Sequence, residues 1–222
     1  MSEANVQVLN ADFVPECARV MALGFCDSPS YNYIFRGTKE YRVQALEWTF
    51  ARNILMVLDK CQSALRGMLN SNGEVICCFL WIPAALADSS LWEMIKAGVW
   101  LMPFKFGVST VSRLLNIIDQ MERNSDGNSQ TAHGSRRDAL KLERMVVRPD
   151  YQGQGVGSRA LRSVLDEASQ MEKSVEIHLE TQEERNVEFY TRLGFQVTNT
   201  KDFYEDEPEY TFRSWHMVQK TS

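Results

Sequence analysis

The chain reads as an α/β (α+β) protein in a single domain, a mixed sheet with helices on its faces. Three observations predict this. Apolar residues recur at helical spacing in some stretches and as short β-like runs in others. A strand runs into a glycine turn that opens a helix near residue 150, and Asn72-Gly73 stands between two β-like runs as a hairpin turn. With 222 residues, 44% apolar and 24% charged, the composition suits a chain that buries a core.

Taken in order, residues 6–9 read as a short strand. Asp12 reads as an N-cap, with Pro15 early in a helix that carries Phe13, Cys17, Val20, Met21 and Gly24 at roughly helical spacing. Asp27-Ser28-Pro29 ends it. Residues 38–58 form a second helix with Tyr41, Ala45, Trp48, Ile54 and Leu55 inward, and residues 64–69 and 75–81 form the hairpin. An apolar helical insertion, residues 84–123, is split by Pro103 and Gly107. Residues 124–137, with Ser, Asp, Gly, Asn and Gln, read as a flexible loop. Then follow a strand (140–147), a helix (156–169), a strand (175–179) and a helix (184–193) closed by Gly194. Two final strands (195–200 and 210–217) flank an acidic loop at 202–209.

The formal charge of -5 argues against general nucleic-acid binding, which wants a basic face. Cys17, Cys26, Cys61, Cys77 and Cys78 form no CxxC pair and no Cys/His grouping, so neither a disulfide framework nor a metal site is expected. Reduced thiols and an N-terminus without signal-peptide character point to the cytoplasm. The most apolar stretch, 91–102, is broken by Glu93, Lys96 and Gly98. It is too short and too polar to span a bilayer, so no membrane role is expected.

The most informative segment is Val147-Arg148-Pro149-Asp150-Tyr151-Gln152-Gly153-Gln154-Gly155-Val156-Gly157. A strand, a turn with three glycines and a helix start together expose bare N–H groups where the helix dipole is positive, which suits a phosphate or pyrophosphate. Glycine lets the phosphate oxygens reach the backbone. Pro149, lacking an N–H, marks the end of strand pairing. No Gly-Lys-Ser/Thr follows, and the spacing differs from G-x-G-x-x-G. A glycine turn made for packing alone is the plainer alternative. Around it, residues 134–162 hold seven basic residues and three acids, +4 within a chain of -5.

These residues resemble the acyl-coenzyme A motif of the GNAT superfamily of N-acetyltransferases, V-x-P-x-x-Q/R-x-x-G-x-G/A, with Val147, Pro149, Gln152, Gly155 and Gly157 in the matching places. The resemblance implies a mixed, mostly antiparallel sheet flanked by helices, with acetyl-CoA as the cosubstrate. It implies that the amides of Gly153, Gln154, Gly155, Val156, Gly157 and Ser158 hold the pyrophosphate, with Gln152 beside them. The backbone of Met145, Val146 and Val147 would pair with the pantetheine arm. A second match lies in Leu179-Glu180-Thr181 and in the run from Arg185-Asn186 through Phe189-Tyr190 to Leu193-Gly194-Phe195, closest in look to puromycin-type small-molecule acetyltransferases. Together the motifs cover about residues 140–217. Before residue 135 only the order of elements is similar.

An alkylamine of pKa ~10.4 is only about 0.04% neutral at pH 7, a cost of roughly 4.6 kcal/mol in reactive population. A positioned base offsets part of that. By resemblance Glu143 is the candidate base and Tyr190 the acid toward the departing thiolate, with Glu180 a weaker contender for the base. A salt-bridged strand glutamate and a core aromatic are the respective alternatives. Asn186 would bond the pantetheine or a water, or simply cap its helix.

Tyr31, Tyr33, Phe35, Trp92, Trp100 and Phe104 could wall an apolar pocket, and the acidic loop could draw in a cation. His133, His178 and His216 are scattered without evident partners. The expected reaction is acetyl transfer to a small-molecule amine by direct attack on the thioester, in a monomer or homodimer. A protein lysine or N-terminal acetyltransferase, or a coenzyme A-binding regulator without turnover, stay open.

Overall fold

The computed structural model describes residues 5–87, 93, 96–123, 139–205 and 207–221. Among them seven strands form one sheet: β1 (Gln7–Val8), β2 (Leu65–Leu69), β3 (Val75–Pro83), β4 (Ala139–Val147), β5 (Glu176–Thr181), β6 (Gln196–Phe203) and β7 (Phe212–Lys220). Their order is β1-β2-β3-β4-β5-β7-β6, and only β4 and β5 run parallel. The helices are α1 (Val14–Phe25), α2 (Pro29–Ile34), α3 (Lys39–Lys60), α4 (Ala84–Ala87), α5 (Met102–Phe106), α6 (Val108–Arg123), α7 (Val156–Ser169) and α8 (Glu184–Thr191). The expected fold class is the one observed.

Hydrophobic cores lie on both faces of the sheet. On one, α1 and α3 bring Met21, Leu46, Phe50 and Ile54 onto Leu80, Ile82 and Val146. On the other, α7 brings Leu161 and Val164 onto Phe79, Leu140, Leu142, Ile177 and Leu179. β3 lies between the two and is buried on both sides, which is why Val75-Ile76-Cys77-Cys78-Phe79-Leu80-Trp81-Ile82 is apolar throughout rather than alternating.

Two features of β4 shape the site. It pairs with β5 only from Ala139 to Lys141, so on that edge residues 142–147 have no strand partner among the described residues. Its pairing with β3 slips by one residue between Cys78 and Leu80, and Arg144 takes a positive φ of 52°. This is a β-bulge, and it exchanges the faces of the strand. Leu142 and Met145 pack toward α7, whereas Val146 packs toward α1. There Gly24 admits it: a Cβ on Gly24 would lie 2.2 Å from Val146 Cγ2.

Three local expectations need correction. Asn10, not Asp12, caps the first turn, its side chain accepting from the Asp12 N–H ahead of the 3₁₀ turn Ala11–Phe13. Leu55 is 46% exposed, because it sits about 100° round α3 from buried Ile54. Pro103 starts α5 rather than breaking a helix; the breaks fall at Gly98 and Gly107, both at positive φ. The expected loop at 124–137 and part of the insertion lie outside the described residues. No described helix is long and apolar enough to cross a membrane.

Candidate active site

Where β4 and β5 part, a cavity of about 360 Å³ opens. Its walls come from β4 (Glu143, Arg144, Met145), the end of β5 (Glu180, Thr181), α8 (Asn186, Tyr190), β7 (Ser214) and the α1–α2 junction (Phe25, Tyr31). Gln182, just past β5, ties that junction down: its Oε1 accepts from Ser28 Oγ at 3.3 Å and from the Ser30 N–H at 3.2 Å. The structure thus brings the expected Glu143, Met145, Asn186 and Tyr190 around one space, although they span 48 positions of sequence.

Tyr190 packs edge-on against Phe189 and Phe195, with ring centroids 5.1 and 5.7 Å away. Burial, and to a lesser extent nearby Cys77, push its phenol well above the usual tyrosine range. It therefore holds its proton at neutral pH, as an acid toward a thiolate must.

Glu143 sits in a different field. Lys141 Nζ approaches it at 2.8 Å and the Arg144 guanidinium bonds it as well. Burial works against its charged form, but the two cations outweigh burial and hold its carboxyl below the ordinary value. Glu143 is thus a fixed negative charge on the cavity wall with reduced basicity.

The glycine turn lies beyond the end of β4. Gly153 (φ 74°) and Gly155 (φ 73°) take left-handed conformations; space at Gly153 is open, and at Gly155 only the Arg159 guanidinium comes within contact distance. Gly155 caps α7 without a side-chain bond. Among the described residues, the amides of Gly153, Gln154, Gly155, Val156, Gly157 and Ser158 donate to no main-chain carbonyl. Val156 is buried and anchors the turn, while Gly157 allows close packing, since its Cβ would meet Val147 Cγ2 at 3.3 Å. Gln152 Nε2 donates to the Val147 carbonyl at 2.9 Å and folds the turn back onto the strand. Of the basic residues nearby, Lys141, Arg144 and Arg148 are ion-paired. Arg159 lies next to the turn, its Nη1 donating to the Gln154 carbonyl and standing 3.5 Å from where a Gly155 Cβ would be. A run of bare amides beside a guanidinium fits a diphosphate.

Other expected groups lie elsewhere. Tyr31 lines the cavity, but Tyr33 and Phe35 are buried in the core, Trp100 and Phe104 are exposed on the surface, and Trp92 is outside the described residues. No described residue of the acidic loop lines the cavity. Asp202 pairs with Arg213, Glu207 with Arg36, and Glu205 accepts from Asn116 and Gln120 of α6. The histidines are not all scattered: His178 Nδ1 and His216 Nε2 stand 3.2 Å apart across β5 and β7. His133 is outside the described residues. Phe25, Gln182 and Ser214 were not foreseen; only the position of Gln182, directly after Leu179-Glu180-Thr181, hinted at a role.

Residues 122–197 match the family described as acetyltransferase (GNAT) domain. Over 194 residues, 83% of its length, the chain is 21% identical to a probable serine/threonine-protein kinase of Dictyostelium discoideum, and spans only 20% of that relative. In structure it is similar to an acetyltransferase of Corynebacterium glutamicum solved as histone acetyltransferase HPA2 and related acetyltransferase (16% identity, 99% of this chain and 97% of that one, TM-score 0.60). It is also similar to the polyamine N-acetyltransferase of Drosophila melanogaster (11% identity, 97% and 99% covered, TM-score 0.56). At these identities the likeness is one of fold.

Proposed function

We propose that this chain, an acyltransferase with a GNAT acetyltransferase domain, uses acetyl-CoA to acetylate the amine of a small molecule. The observation that carries the proposal is a cavity at the parting of β4 and β5 that holds Tyr190 and Glu143, walled by the strand that leads on to a turn whose amides donate to no main-chain carbonyl among the described residues. The amides of residues 153–158 and Arg159 would hold the diphosphate of the cosubstrate. The β5-side edge of β4 at Met145, Val146 and Val147, which has no strand partner among the described residues, offers main-chain groups to its extended arm, and Asn186 lines the cavity with Met145. The thioester, when bound, supplies the acyl group.

This chain's residues then do three things. Glu143 holds Lys141 and Arg144 in place at the cavity wall. Phe25 and Tyr31 give an apolar wall against which the rest of the amine can lie. Tyr190 holds the proton that the departing thiolate takes. A thiol-release screen with acetyl-CoA against diverse amines and peptides tests this. Transfer to at least one small amine, with peptides inert, is expected; acetylated peptides with inert amines would overturn the choice of acceptor.

A further inference from the structure

We infer that Asn70, in the turn between β2 and β3, is a positioning residue for the coenzyme A site: through Tyr151 it braces the glycine turn that would hold the diphosphate. This rests on the proposed use of acetyl-CoA and adds to it the device that keeps the turn in its binding shape.

The glycine turn is costly to order. Gly153 and Gly155 both sit at left-handed φ, and glycine gives up more conformational freedom than any other residue when it is fixed. Most of what shapes the turn is local. Gln152 Nε2 donates to the Val147 carbonyl, Gln154 Nε2 to the Asp150 carbonyl and Arg159 Nη1 to the Gln154 carbonyl, none reaching further than five positions. Such bonds bend the segment without tying it to the body of the protein. Among the described residues, one hydrogen bond carries residues 149–155 to a distant part of the chain. Asn70 Nδ2 donates to the Tyr151 hydroxyl at 3.2 Å, across 81 positions of sequence.

Asn70 is itself held firmly. Its Oδ1 accepts from the Asn72 and Glu74 N–H groups, both at 2.9 Å, and its Nδ2 also donates to Glu74 Oε2 at 2.6 Å. With Tyr151, all four hydrogen-bonding capacities of the amide are in use, which leaves it one orientation. The hairpin turn around it is closed by the Asn70 N–H on the Glu74 carbonyl and the Gly73 N–H on the Asn70 carbonyl, at 2.9 and 3.0 Å. Glu16 of α1 then accepts the Val75 N–H at 2.8 Å, where the buried strand β3 begins.

Tyr151 completes the link from the other side. It ends the 3₁₀ turn Pro149–Tyr151, and its ring packs against the core beneath α7. The Arg148 guanidinium lies 4.7 Å from the ring centroid, pairs with Asp150 at 3.0 Å, and stands 3.7 Å from the same Glu74 Oε2 that Asn70 bonds. Asn70, Tyr151, Arg148 and Glu74 thus close a ring between the hairpin and the turn. Gln152 and the bare amides follow directly. A turn already held in shape has less freedom to lose when its ligand arrives, so the brace raises affinity without touching the ligand.

The test uses the full chain and coenzyme A. Tyr151→Phe removes the hydroxyl and leaves the hairpin and the packed ring. Asn70→Ser keeps an acceptor oxygen for the hairpin amides but is too short to reach Tyr151. Each should weaken coenzyme A binding in calorimetry by about 3- to 10-fold, the effect of one neutral hydrogen bond. The double variant should lose no more than the weaker-binding single variant, because both changes cut the same link. Thermal unfolding confirms that all three fold.

A second readout needs no ligand. ¹⁵N relaxation of the Gly153, Gly155 and Gly157 amides should show lower order parameters in both single variants, while those of α7 hold. Losses that add in the double variant, or turn amides as rigid as in the unaltered chain, would overturn the brace. So would looser amides with unchanged coenzyme A affinity. Should the unaltered chain bind no coenzyme A while the amides still loosen in both variants, the cofactor reading fails and the brace on the turn stands.

Discussion

Placing a carboxylate in the glycine turn tests the cradle most directly, and the structure sets the size of the effect. Gly155→Asp puts a side chain where φ is 73°, a conformation that costs a typical residue about 1–2 kcal/mol but that aspartate and asparagine tolerate best. The new Cβ makes no clash, and Arg159 Nη1 lies 3.5 Å from it at the flexible end of its side chain, so the acid would draw a cation from the turn. A carboxylate roughly 5 Å from a phosphate at an effective dielectric of about 20 repels it by about 3 kcal/mol per charge pair. Because the turn is exposed, screening reduces this to about 1.5–3 kcal/mol, or roughly a 10- to 200-fold loss of coenzyme A affinity. Gly155→Asn has the same shape without the charge and should lose less than about 5-fold. Calorimetric titration with coenzyme A reads both, and thermal unfolding confirms that both fold. Unchanged affinity in Gly155→Asp refutes the cradle; equal losses in both variants mean the backbone, not the charge, is at fault.

Tyr190→Phe should lower turnover about 10²- to 10³-fold while coenzyme A affinity stays within about twofold. An equal fall in both would make the ring structural. Gly67→Ala should cost about 1–3 kcal/mol in urea unfolding, since its Cβ would fall 2.6 Å from Leu9 Cδ1 and 2.8 Å from the Cys77 carbonyl, which the sheet holds in place. Gly73→Ala, with open space and φ 81°, should cost only the left-handed penalty of about 1–2 kcal/mol; equal losses at the two sites would dismiss the steric account. His216 in the folded chain takes its proton at lower pH than in the unfolded chain. Stability is therefore full above the ordinary histidine value of about 6.5 and declines as pH falls below it, a slope that His216→Gln should flatten in unfolding measured from pH 7 to 5. At Arg144, φ 52° makes glycine the easier replacement, so Arg144→Gly should be about 1 kcal/mol more stable than Arg144→Ala; the reverse order would mean the bulge relaxes once the guanidinium is gone.

The glycine turn and helix α7 were legible because their causes are local. Pro149 ends pairing, Gly153 and Gly155 take conformations that other residues avoid, and Val156, Ala160, Leu161, Val164 and Leu165 then repeat at helical spacing. The start of α3 at Thr38 was local too, since its side chain accepts from the Tyr41 N–H. Illegible features were those set by register between distant segments. His178 and His216 meet because β5 and β7 pair in one register, and a slip between Val197 and Asn199 leaves Thr198 free to reach His216. The acids of the loop at 202–209 read as bait for a cation because Arg36, Asn116 and Arg213 come from elsewhere in the chain. Glu143 could be located from its motif. Its basicity could not, because that depends on where Lys141 and Arg144 turn their side chains.

The bulge at Arg144 connects most of these observations. Without an extra residue in β4, strict alternation would turn Val146 to the same side as Leu142, toward α7, and Gly24 would have no close neighbour to admit. With it, Val146 fills the gap left by Gly24 and locks α1 to the strand, so the α1–α2 junction stands over the cavity with Phe25 and Tyr31 as its wall. The same extra residue adds local twist just past Lys141, where pairing with β5 ends, and the parting of the two strands is the cavity itself. The strand edge, the apolar wall and the bend that seats Arg144 against Glu143 therefore follow from one inserted residue. That insertion is invisible in composition or periodicity, because a bulge shows itself only against the strand it fails to match.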